Sequence, residues 1–254
     1  MLDLKELQKP TDVAQKVLSL LPKKSSFETW CLKIHTCWKV AFYSTSRQKG
    51  DVLLYGDPSL VHESTIESLK SRIQSQVHDV LRGHHLYFDE VVYLLGAASH
   101  NLPNGIVKQP DAAYTSVGAK PPLKPRMTLE VAYKNENLER LIEEVKLWNS
   151  WDIKYSAGIK IEVKVTGTRE NKADDIKMFW VQQYEVEREP TVLEFGPGIC
   201  KEPNLPRFQV RFLLSCLIEV NPSLDTFICF DLFQVQQKIW NVIADEAEDN
   251  AHGG

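Results

Sequence analysis

From Ser59 to about Leu81 the apolar positions fall on one stripe, Ile66, Leu69, Ile73, Val77 and Val80, with Glu63, Lys70 and Arg72 elsewhere. That spacing, close to the helical period, predicts a long amphipathic helix closed by Gly83. Upstream, Leu4, Leu7, Val13, Val17, Leu18 and Leu21 predict one or two helices over 3–22, divided at Pro10 with Thr11 as N-cap. A polar linker, Pro22 to Ser26, leads to a short helix around Trp30 and Ile34 and to strands near 39–43 and 51–55. Downstream, Tyr87, Val91, Tyr93 and Leu95 alternate and predict one or two strands over 85–97. Asn101 to Gly105 has the composition of a turn.

Further strands are predicted over 109–117, 127–133, 158–165 and 176–187, and a helix over 137–148 with Leu138, Leu141, Val145 and Trp148 inward. Residues 192–207 read as loop, with Gly196-Pro197-Gly198 as a turn, and 208–219 as an apolar, strand-like run. The chain then predicts an amphipathic helix over 223–244 and a disordered acidic tail over 246–254. No internal repeat occurs. The expected architecture is α/β: a mixed sheet flanked by helices, with additional N- and C-terminal helices. The expected division is an N-terminal helical extension over 1–26, a main domain over 27–190, a C-terminal elaboration over 191–245 and the tail.

Composition narrows the class without naming it. At 254 residues, 43% hydrophobic and 25% charged, the chain can bury a sizeable core. No apolar run approaches the length of a membrane span and no signal-type segment opens the chain, so an intracellular protein, cytoplasmic or nuclear, is expected. Five scattered cysteines within apolar runs predict buried free thiols, with no zinc spacing. A net charge of −4 argues against a surface wholly adapted to nucleic acid, but leaves room for a local basic patch around an acidic metal site.

The informative chemistry lies between Gln109 and Lys146. Glu130 interrupts the apolar strand Met127–Tyr133, where an unpaired carboxylate costs several kcal/mol. Asp111 follows Pro110 at the head of the preceding apolar run. Two strand-borne carboxylates that converge suit a divalent ion with oxygen ligands. The bland alternative is that Asp111 caps a turn and Glu130 pairs with a lysine. No nucleophile elbow or phosphate-binding loop is present.

This order of motifs resembles the PD-(D/E)XK nuclease superfamily, and more specifically the Uma-type restriction endonuclease family. The resemblance covers roughly residues 27–166 and rests on Pro58-Ser59-Leu60-Val61-His62, Pro110-Asp111 and Leu129-Glu130-Val131. It implies a Mg²⁺- or Mn²⁺-dependent endonuclease acting on DNA, with Asp111, Glu130 and Val131 at the metal and His62 near substrate or metal. It also implies a homodimer as one arrangement for cutting both strands.

The family's lysine belongs two residues after Glu130, where this chain has Ala132. Lys134 shares that strand face but sits about 13 Å further along. Lys146, on the following helix, is the other candidate for orienting the water. Lys120, Lys124 and Arg126 form a small basic loop that either touches phosphates or is simply solvated. If no lysine serves, the chain is a degenerate member kept as a nucleic-acid or protein binding module. A third reading is an unrelated α/β interaction domain.

Overall fold

The computed structural model describes residues 39–44, 50–55, 59–96, 98–102, 105–133, 136–151, 153–164, 175–184 and 188–252. The expected helices over 3–22 and around Trp30 lie outside the described residues. In chain order the elements are β1 (Lys39–Ser44), β2 (Gly50–Tyr55), α1 (Leu60–Arg82), α2 (Phe88–Val91), β3 (Val92–Leu94), β4 (His100–Asn101), β5 (Val107–Lys108) and β6 (Ala112–Ser116). They continue as β7 (Met127–Tyr133), α3 (Leu138–Asn149), β8 (Tyr155–Val163), β9 (Ile176–Tyr184), β10 (Thr191–Phe195), β11 (Gln209–Leu213), β12 (Phe227–Asp231) and α4 (Leu232–His252).

The chain divides into two compact units. The first comprises Met1–Pro58 with Ala98–Gln109, and the second Ser59–Ala97 with Pro110–Gly254. In the first unit the strands form an antiparallel sheet in the order β2-β1-β5-β4. The second unit is built on a six-stranded mixed sheet in the order β10-β9-β8-β7-β6-β3, with a β11–β12 ribbon beside it. The elaboration expected over 191–245 belongs to this same unit.

Within the six-stranded sheet β7 and β8 are parallel and the other pairs antiparallel. A parallel pair needs a crossover, and α3 supplies it. The long helix α1 starts where the Ser59 side chain accepts the His62 N–H at 3.2 Å, and it ends at Gly83. Its buried stripe of Val61, Ile66, Leu69, Ile73 and Val77 packs into the main core with Met127, Leu129 and Val131 of β7. On the other side of β7, Ala132 packs with Leu141 and Val145 of α3 and Val181 of β9. Consecutive residues of β7 therefore face different helices.

Three segments differ from the reading by periodicity. Within 85–97, α2 precedes a strand of only three residues. The supposed loop over 192–207 contains most of β10. The first part of 223–244 is the strand β12, and α4 then runs past Ala244 to His252. Cys200 and Cys216 are buried free thiols, and burial pushes both up to about 11. No described helix is long and apolar enough to cross a membrane.

Candidate functional site

The head of β6 and the middle of β7 meet at the two carboxylates singled out in the sequence. Ala112 stands opposite Leu129, and the Asp111 N–H donates to the Leu129 carbonyl at 3.1 Å. The ladder ends at that pair, and Asp111 is fixed beside β7 by its own hydrogen bonds to the residues on either side of Glu130. The Asp111 carboxylate, almost wholly buried, then takes the place of a ladder carbonyl. Its Oδ2 accepts the Val131 N–H at 2.6 Å. The same oxygen lies 3.2 Å from Nε2 of His62.

His62 reaches this point because the Ser59 cap fixes the first turn of α1 directly over β7. Its Nδ1 lies 3.2 Å from Oε1 of Glu63. Both ring nitrogens thus face carboxylate oxygens, an arrangement in which only the doubly protonated ring donates twice. Glu63 is half exposed, so its share of this interaction is small.

Glu130 is held from the other helix. Its Oε1 accepts the indole N–H of Trp148, a fully buried residue in the last turn of α3. The two acids are each tied down by a donor, Asp111 from α1 and Glu130 from α3. Among the described residues no group of three or more His, Cys, Asp or Glu side chains could hold a metal ion. Carboxylate oxygens are the donor type Mg²⁺ takes, but these two are held from opposite helices.

The lysines fall elsewhere. Lys134 lies outside the described residues. Lys146 is two positions from Trp148, about 200° round the helix, and its Nζ pairs with Glu189 at 2.5 Å. It is directed away from Glu130. The basic loop occupies the far end of the β6–β7 hairpin, about 17 Å along β6 from Asp111. There the Arg126 guanidinium donates to the Ser215 carbonyl at 2.6 Å and lies 3.5 Å from Glu219. Lys124 lies over the Trp151 ring at 5.6 Å, and Lys120 is exposed. The structure does not bring these three to the carboxylates.

One residue was missed by the sequence reading. Lys160 stands opposite Ala132 in the parallel β7–β8 pairing, while Gly158 stands opposite Glu130. Lys160 is 5% exposed, between the buried Ile159 and Ile161. Burial draws its ammonium below the usual lysine range, and the Glu162 and Glu136 carboxylates oppose that shift. The signal was available: a lysine inside an apolar run is as anomalous as the glutamate of β7.

No protein-family model matches the chain, and no curated protein sequence does. Among solved structures, one from Anabaena variabilis ATCC 29413, described as a nuclease candidate belonging to DUF820, aligns with 78% of this chain and 90% of its own length. The identity is 10% and the TM-score 0.46. At that similarity the match decides neither fold nor activity.

Proposed function

We propose that the chain is a Mg²⁺-dependent phosphodiesterase acting on DNA, with Asp111, Glu130 and the Val131 carbonyl as its metal ligands. The observation that supports the reading is that Asp111 is bonded to both chain neighbours of Glu130, its N–H donating to the Leu129 carbonyl and its Oδ2 accepting the Val131 N–H. The element order supports it: a long helix, three antiparallel strands, then a helix crossing to a parallel strand is the arrangement the PD-(D/E)XK resemblance implies. Bound there, Mg²⁺ would acidify a water and offset charge on the phosphate. His62 fixes the Asp111 carboxylate, and Trp148 fixes that of Glu130, so neither acid must be ordered when the ion and substrate arrive. Cutting both strands of a duplex would call for two copies of the chain.

Two observations favour a second reading, a member of the same fold retained for binding. Ala132 stands where a lysine is expected, and Lys146 is engaged with Glu189. Calorimetric titration with Mn²⁺, comparing wild type with Glu130→Ala, separates these readings when plasmid cleavage is run on the same samples. The nuclease reading expects Mn²⁺ binding that the substitution abolishes, with metal-dependent nicking by wild type. Binding without nicking supports the non-catalytic member. Absence of Mn²⁺ binding by wild type sinks the metal site altogether.

A further inference from the structure

We propose that β3 is a dimer surface, at which two copies of the chain pair their β3 strands antiparallel and join their sheets edge to edge. β3 ends the order of the six-stranded sheet, and among the described residues it pairs with β6 alone. The Leu95 N–H donates to the Ala113 carbonyl and the Val117 N–H to the Val91 carbonyl. Bonded positions alternate along an antiparallel ladder, so Tyr93 turns its backbone groups to Thr115 while those of Val92 and Leu94 point outward. Such an edge is a template for another strand unless lysine, proline or a bulge guards it. β3 is short, but it carries neither lysine nor proline and holds unbroken register with β6. Half of the large apolar side chains exposed among the described residues gather here: Tyr87, Tyr93, Leu94 and Val117.

The strand that fits this edge is the same strand turned end for end. With Tyr93 on the two-fold axis, Val92 stands opposite the partner's Leu94, and each offers the outward N–H and C=O that the other needs. The two Tyr93 residues then form a non-hydrogen-bonded pair, the closer kind, with their rings on one face. On the other face the half-exposed Leu94 comes beside the partner's Val92, whose side chain is already part of the core. Charge selects the same orientation. Asp89 and Glu90 of α2 precede the strand, so antiparallel pairing places the two acidic pairs at opposite ends of the joint. A parallel pairing would set each acid beside its own copy. The four exposed side chains offer roughly 400 Å² per copy, about half of what a standard interface buries on each partner. The dimer is therefore a weak one, half formed at about 100 μM chain.

The test uses the full chain without metal, so its result stands apart from the reading of Asp111 and Glu130. Sedimentation equilibrium and amide hydrogen exchange are followed from about 10 to about 500 μM. Wild type is expected to dimerise over that range, with exchange at the Val92 and Leu94 amides slowing about threefold and the Tyr93 amide unaffected. Leu94→Lys should melt as wild type does and stay monomeric. Under mild oxidation Tyr93→Cys should give a disulfide-linked dimer and Leu94→Cys should not, because Leu94 faces the partner's Val92 and meets its own copy only diagonally. A dimer that survives Leu94→Lys, with both amides unchanged, uses another surface and overturns the proposal. Slow exchange at Val92 and Leu94 in the monomer would mean that the chain covers its own edge, and overturns it too. A monomer with fast-exchanging amides at every concentration leaves the edge to a strand from a different protein, which also refutes the homodimer.

Discussion

At the scale of single residues, polar groups inside the core carry the most testable consequences. Tyr114 of β6 is 1% exposed, and its hydroxyl has no hydrogen-bond partner among the described residues. Burial raises its pKa well above the ordinary tyrosine value, and the Glu67 carboxylate adds to the shift. The sign follows from proton counts. Above about pH 10 the unfolded chain has lost this proton while the folded chain keeps it. Stability contributed by the neutral phenol is therefore complete below that pH and is lost as pH rises toward the folded value. Tyr114→Phe removes both a buried, unsatisfied hydroxyl and the titration. It should leave stability unchanged or raise it by up to about 1 kcal/mol near neutral pH. It should also shrink the drop in urea midpoint between about pH 9 and pH 11. A variant that loses stability near neutral pH would mean that the hydroxyl is satisfied in solution.

At the scale of elements, packing is close where α3 crosses from β7 to β8. A Cβ at Gly158 would sit 2.7 Å from Cδ1 of Leu141 and 2.9 Å from the Glu130 carbonyl oxygen. The first neighbour is a buried side chain and the second is backbone, so neither yields cheaply. Gly158→Ala should cost about 1–3 kcal/mol by urea denaturation. It should also weaken Mn²⁺ binding, because the carbonyl it presses on belongs to a proposed ligand. Adding Leu141→Ala relieves one contact only, so the double variant should remain less stable than wild type. Full recovery would show that the backbone of β7 moves freely.

These same elements show what a sequence can reveal. The stripe of α1 and the run Met127–Tyr133 were legible because each has one periodicity and one cap or breaker at its ends. The strand β12 was hidden because it passes straight into α4. There Ile228, Phe230, Leu232, Val235 and Ile239 are all buried, and the spacing fits a strand at one end and a helix at the other. Asp231 marks the junction, its Oδ1 accepting the Phe233 N–H at 2.9 Å, and a carboxylate at a helix start is a sign the chain displays openly. Asp111 and Glu130 could be picked out as acids in apolar company. Lys160 was equally anomalous, but its relation to Ala132 depends on the parallel register of β7 and β8, which no local pattern encodes.

At the scale of the whole molecule, the question is what the candidate site needs from the rest of the chain. His62, Asp111, Glu130, Trp148 and Lys160 all belong to the second unit, and so do the residues of the main hydrophobic cluster among the described residues. Residues 98–109 leave that unit between β3 and β6, two strands that pair directly. Leu94 stands opposite Tyr114, and the Leu95 N–H donates to the Ala113 carbonyl at 2.9 Å. The excursion is thus an insertion within a hairpin, and its two ends already lie side by side. A chain beginning at Ser59, with residues 98–109 replaced by a short Asn-Gly turn, closes the hairpin with no stretch to span. It should unfold in one cooperative urea transition and bind Mn²⁺ with the affinity of the full chain, again lost in Glu130→Ala. Cooperative folding with lost metal affinity would mean that the first unit contributes to the site. A broad, non-cooperative transition would mean that the core of the second unit depends on the first.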